Sequence, residues 1–215
     1  MKRKLLCSFI SFAVFMFALP LSTTAHNSDY WSGVYTGFIT QSNLKFRIES
    51  TAITSLLTSS VYHSAYNWSG ISSNVGNIGV AIAAPGMPTT GFFSVYGQVL
   101  YGGTLGTTIY MDSLGNIVNA NSNWHMVCIL MNTDFSAYSG TGDPTQVAKK
   151  VFMHEVGHTL KLCHPVYSPG ASGHTYNGGY PKTIMNQGLP KSSTPWVSAT
   201  IAEHDKSNLK AKWGA

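Results

Sequence analysis

His154-Glu155-Val156-Gly157-His158-Thr159-Leu160-Lys161-Leu162-Cys163-His164 is the stretch on which the reading of the whole chain turns. On a helix, His154 and His158 lie four residues apart, so their imidazoles share one face about one turn apart. Two ring nitrogens can then reach one zinc ion at about 2.0–2.1 Å. Glu155 projects beside that face, close enough to act as a base on water at the metal without displacing it. His164 reaches the same ion only if the chain turns after Leu160 and comes back. Three neutral nitrogens leave a fourth position for water, the layout of a catalytic zinc rather than a structural one. The chain has eight His and three Glu, namely Glu49, Glu155 and Glu203. Chance places an HExxH in such a composition only about 0.004 times per chain.

Upstream, Thr141-Gly142-Asp143-Pro144-Thr145-Gln146 reads as the start of the helix that carries this motif. Asp143 can cap, Pro144 suits the first helical position, and Gln146 sits at the third. Val147, Val151, His154 and His158 then line one face, so an apolar stripe runs straight into the ligands. Downstream, Pro165 blocks a helical return, and the Gly- and Pro-rich segment to Pro181 reads as loop, with His174 an ordinary loop histidine. Lys182-Thr183-Ile184-Met185 follows. Thr200-Ile201-Ala202-Glu203 reads as a capping box opening a last helix.

HExxHxxxxxH followed by Thr183-Ile184-Met185 resembles the metzincin clan of zinc endopeptidases. The spacing of Asp205, Leu209, Trp213 and Gly214 is similar to the C-terminal helix of its matrixin branch. The resemblance implies an α+β, zincin-like fold: a twisted mixed β-sheet, an active-site helix, and a small C-terminal subdomain ending in a helix. It implies a catalytic domain over 26–215, with an N-terminal subdomain over about 26–160 and a C-terminal one over about 161–215. The ligands to one catalytic Zn2+ would be His154, His158 and His164, with Glu155 as catalytic base. Met185 would underlie the zinc site, Asp205 would help fix the Met turn, and 189–198 would wall the pocket for the residue after the cleaved bond, read as apolar from Pro190, Pro195 and Trp196. Two departures stand out. Lys161 occupies the place of a motif glycine, where a left-handed backbone would cost lysine about 1–2 kcal/mol; a differently built turn is therefore expected. Gln187 stands where some branches carry a zinc-bound tyrosine, which argues against the astacin and serralysin branches.

The rest of the chain suits a secreted domain. Lys2, Arg3 and Lys4 precede an apolar run over 5–19, and Thr23-Thr24-Ala25 offers small residues for cleavage. Residues 1–25 thus read as a secretory signal peptide. The remaining residues suit one globular domain, with 44% hydrophobic and only 10% charged residues in the whole chain. The net charge of +5 falls to +2 without the three basic residues of the leader. No basic cluster survives to read nucleic acid, and no second long apolar segment suggests a membrane; a monomer is expected. Cys128 and Cys163 remain, either as one disulfide or as two buried thiols. Asp112, Asp134 and Asp143 are scattered, and carbonyl-built calcium sites leave little trace in sequence, so calcium stays open.

Tyr30, Trp31, Tyr35 and Phe38 suit a first strand or a segment lying along the surface. The stripe Ile53, Leu56, Leu57, Val61, Ala65 and Trp68 predicts a helix over 49–68, with His63 on the surface. Strands are predicted over 78–84, 91–100, 107–112 and 124–131. Glycines 102, 103 and 106 read as turns or as a loop over the cleft.

The expected function is a secreted zinc-dependent endopeptidase whose partner is a protein or peptide substrate. Three alternatives remain at this level. A gluzincin-type site would take Glu203 as third ligand. A non-catalytic zinc-binding module would dock on a surface polymer or host protein. A hydrolase of cell-wall peptides would carry a wall-binding repeat, and the chain has none.

Overall fold

A computed structural model describes residues 29–52, 54–134, 143–165, 183–186 and 199–215. The leader, His174, Gln187 and the expected pocket wall at 189–198 lie outside the described residues. Five strands form one sheet: β1 (Lys45–Ile48), β2 (Gly79–Ile82), β3 (Phe93–Gln98), β4 (Gly106–Met111) and β5 (Met126–Asn132). Their order is β2-β1-β3-β5-β4. The first four in that order run parallel, and β4 closes the edge antiparallel to β5, with Thr108 opposite Ile129. The described helices are α1 (Ser59–Tyr62), α2 (Pro144–Thr159) and α3 (Glu203–Trp213). The class is therefore α+β with a mixed sheet. Among the described residues no helix is long and apolar enough to cross a membrane.

β2 to β5 follow the runs predicted for them to within two residues at each end, and Gly106, read as a turn or loop glycine, is the first residue of β4. β1 was not predicted. It alternates Phe46 and Ile48 with Lys45 and Arg47 over only four residues, too few for the period-two pattern to stand out. Arg47 is nonetheless buried, its Nη2 donating to Glu49 Oε2 at 2.8 Å and its Nη1 to the Pro88 carbonyl at 3.2 Å.

The single helix predicted over 49–68 is corrected to a 3₁₀ turn at Ser50–Ala52, the short α1, and a 3₁₀ helix at His63–Trp68. The hydroxyls explain the break. Thr54 Oγ1 accepts from the Leu57 N–H at 3.1 Å, a local bond that competes with a helical one. The apolar stripe itself was read correctly: Leu56, Leu57, Val61, Ala65 and Trp68 are all in the core, and His63 is exposed. Trp68 ties this segment to α2 by donating from Nε1 to the Met153 carbonyl at 2.9 Å.

α2 starts as predicted, with the Asp143 carboxylate accepting from the Thr145 N–H at 2.9 Å and Pro144 at the first helical position. It packs on α1, the following 3₁₀ helix and β4. α3 differs from its prediction. Its N-cap is Ala202, which has no capping side chain, and Asp205 Oδ2 instead accepts the Ala202 N–H at 3.0 Å. Cys128 and Cys163 are two buried free thiols, not a disulfide.

Candidate metal centre

His154 and His158 project from one face of α2, and the turn after Thr159 brings His164 back to them. The His154 and His164 Nε2 atoms are 3.0 Å apart, and those of His158 and His164 are 3.1 Å apart. The Nδ1 atoms point away. His154 Nδ1 is 2.8 Å from the Ile184 carbonyl and His158 Nδ1 is 2.8 Å from the Leu162 carbonyl. A carbonyl only accepts, so each Nδ1 carries the proton and each Nε2 presents a lone pair. Burial holds the His154 imidazole down to about 4, His164 to about 3, and His158 well below its ordinary range, the neighbouring rings adding to the effect on His158 and His164. All three are neutral at pH 7.

Neutral nitrogens gathered this closely have at most one proton, on His164, to share among them. Four-coordinate geometry with bonds of about 2.0–2.1 Å would need nitrogen separations of about 3.3 Å. The donor set fits a borderline metal ion that takes imidazole, and its outer partners are the backbone carbonyls that fix each tautomer. Among the described residues, these three histidines form the one grouping of three or more His, Cys, Asp or Glu able to hold a metal ion. Glu203 is exposed at the start of α3 and pairs with Lys206.

The turn that delivers His164 is built on a lysine. Lys161 takes a φ of 70°, the left-handed conformation that the motif glycine would favour. The expectation of a differently built turn is thus corrected. What accommodates the lysine is its far end: Nζ donates to the Ser122 carbonyl at 2.7 Å and lies over the Trp124 ring. The turn is clamped from outside as well. Trp31 N–H donates to the Lys161 carbonyl at 2.8 Å, and Cys163 N–H donates to the Asp29 carbonyl at 3.0 Å. Tyr30 and Leu162 pair as an antiparallel bridge between them.

Below the histidines, Thr183–Met185 forms a turn. Asp205 Oδ2 accepts from Ile184 N–H at 3.0 Å, and Oδ1 accepts from the Thr183 hydroxyl. Asp205 therefore holds the residue whose carbonyl orients His154. Burial raises its carboxyl, while these bonds pull it down. Met185 packs directly on Gly157, where an added Cβ would lie 2.3 Å from its Sδ.

Glu155 leaves α2 toward β4 and is buried. Thr108 Oγ1 donates to its Oε2 at 2.6 Å. Burial pushes the Glu155 carboxyl up to about 7, against the pull of that hydrogen bond. The histidines and Glu155 open on a cleft of about 500 Å³. Its walls include Trp31, Tyr110, Thr108, Lys150 and the turn at Gly102–Gly103. Trp31 stacks on the His158 ring at 5.2 Å and meets Tyr110 edge-on at 5.4 Å. Burial lifts the Tyr110 hydroxyl well above 10, and the Glu155 charge adds to it. Burial also lowers Lys150, one turn before His154, to about 8.

Sequence reasoning placed His154, Glu155, His158, His164, Met185 and Asp205, and the fold brings these six together. It missed Trp31, read Gly106 only as a turn or loop glycine, and missed Thr108 and Tyr110. The last three alternate along β4 and share the face toward α2, a signal readable once β4 is taken as the strand beside the motif helix. A scan of protein-family models matches none to this chain, and a search of curated proteins gives no match.

Proposed function

We propose that the protein is a secreted zinc-dependent endopeptidase of metzincin type, closest to the matrixins. The observation that carries this reading is the junction of two features. Three neutral imidazole nitrogens converge within 4.8 Å of one another, and a buried carboxylate stands beside them in the same cleft. A purely structural site has no use for that carboxylate.

When bound, zinc would act as a Lewis acid on the scissile carbonyl and make water a better nucleophile. The remaining work falls to this chain's residues. Glu155 takes a proton from water as its oxygen bonds to the carbonyl carbon, and delivers it to the leaving nitrogen as the C–N bond breaks. A carboxyl near neutrality can do both. β4 is the antiparallel edge of the sheet and lines the cleft. An extended peptide pairing with that edge would be held by its backbone, without a demand on sequence.

Zinc content and hydrolysis of a denatured protein by the mature chain, wild type beside Glu155→Ala, test the reading. Expected are about one zinc per chain in both proteins, cleavage by the wild type alone, and its loss with a chelator. Zinc in both with cleavage by neither across a broad peptide set would overturn it, and would favour a binding module.

A further inference from the structure

The Glu155 carboxylate has two oxygens, and β4 treats them differently. Oε2 accepts the Thr108 hydroxyl at 2.6 Å, and the same Oγ1 lies 3.2 Å from the Glu155 main-chain carbonyl. One threonine hydroxyl thus ties the side chain to the backbone position from which it leaves. Oε1 faces Gly106, two residues earlier on the same strand face. A Cβ on Gly106 would lie 3.0 Å from Oε1, 3.0 Å from Glu155 Cγ and 2.7 Å from Val151 Cγ1. The absent side chain at 106 is what leaves space beside Oε1.

We infer that Thr108 and Gly106 form the seat of Glu155: Thr108 holds Oε2, and Gly106 leaves Oε1 as the oxygen that handles the proton. Thr108 is a positioning residue and acts only through Glu155. This inference deepens the peptidase reading and rests on it. The physical reason is geometric. A glutamate carboxylate on three rotatable bonds has several rotamers, and a misplacement of about 1 Å can cost a reaction about 100-fold. Without the hydroxyl, either oxygen could turn to the cleft or to the strand. A hydrogen bond to a charged acceptor is strong enough to select one arrangement.

The test compares wild type, Thr108→Val and Thr108→Ser, each zinc-loaded, in two measurements. Valine keeps the shape and the strand preference of threonine, and serine keeps the hydroxyl. In peptide hydrolysis, Thr108→Val should lower kcat about 10- to 100-fold with KM within about twofold. Thr108→Ser should stay within about threefold of wild type in both, and zinc content should not change. In the second measurement the glutamate side-chain carboxyls are labelled with carbon-13. The chain has three glutamates, so the Glu155 signal is identified by its loss in Glu155→Gln. That signal should move in Thr108→Val and stay in Thr108→Ser. An unmoved signal, or a moved signal with unchanged kcat in an active enzyme, overturns the seat. A wild type that cleaves nothing overturns the peptidase reading, while the carbon signal still decides the hydrogen bond.

Discussion

Lys161 adopts a φ of 70° and sets its Nζ 3.6 Å from the centroid of the Trp124 ring. The backbone strain and the side-chain contact belong to one residue, and they oppose each other. The left-handed conformation costs lysine about 1–2 kcal/mol. The contact of Nζ with the Trp124 ring and its bond to the Ser122 carbonyl offset part of that cost. Two substitutions separate these terms. Lys161→Gly and Lys161→Ala lose the same contacts, but only glycine is free of the strain. Chemical denaturation should find Lys161→Gly more stable than Lys161→Ala by about 1 kcal/mol.

The same lysine should leave a mark on the pH dependence of stability. Burial, with the Lys212 charge adding to it, lowers the Lys161 amine from 10.5 to about 7. The native state then binds fewer protons than the unfolded one between those values, so stability rises with pH across that window. Below about pH 7 the penalty is present in full. Replacing Lys161 by Met removes this contribution. The stability difference, wild type minus Lys161→Met, should therefore rise by up to about 1.4 kcal/mol per pH unit above pH 7. Lys150 is lowered too, but it is present in both proteins and cancels, whereas the difference includes the repulsion between Lys161 and Lys212. A flat difference between pH 7 and 10 would contradict this account.

Gly157 lies between His154 and His158 on α2 and touches Met185 and Trp68. An alanine Cβ there would sit 2.3 Å from Met185 Sδ and 3.0 Å from Trp68 Cζ2. Trp68 is fully buried and anchored to Met153, so the methionine must yield. Overpacking of this kind costs about 1–3 kcal/mol. Thermal unfolding of metal-free Gly157→Ala should show that loss. The carbonyl of Ile184, next to Met185, orients His154, so affinity for a metal ion at the three histidines should fall as well.

Trp31 supports the candidate metal centre twice, through its ring on His158 and its backbone bond to Lys161. Losing the ring frees the imidazole from one side. Changes to such outer partners typically weaken a metal site about 10- to 100-fold. Competition with a chromogenic chelator should place Trp31→Ala at the lower end of that range, because the Nδ1 bond to Leu162 remains. Trp31→Phe should recover most of the affinity.

Both described cysteines are thiols. Burial is the main force pushing Cys163 up to about 12, and Asp29 adds to it. At pH 8 its thiolate is scarce, and only the thiolate reacts. Native protein expressed without residues 1–25 should resist a thiol reagent, and the same protein denatured should show two reactive thiols without a reductant. A denatured yield near zero would mean a disulfide.

What the sequence determined by itself is local. His154, Glu155 and His158 lie within five consecutive residues of one helix, and helical periodicity alone sets their relative geometry. Asp143 and Pro144 start that helix by equally local chemistry. The strand-forming runs that became β2 to β5 were legible for the same reason, as was the apolar stripe of 56–68, although β2, read as part of a buried strand over 78–84, lies at the sheet edge with Ile82 exposed. That the stripe is not one helix was decided by short-range competition between hydroxyls and backbone, which apolar periodicity does not register.

Only the tertiary structure decided the relations across long separations. Lys161 reads as a misfit against a motif glycine until Ser122 and Trp124, far upstream, are seen to receive its side chain. Thr108 and Gly106 acquire meaning only because β4 is the edge strand beside α2. Trp31 reaches His158 because the segment before β1 pairs with the turn before His164. None of these contacts follows from a repeat of 2.0 or 3.6 residues. Each depends on which elements become neighbours, and burying the faces of all of them at once settles that.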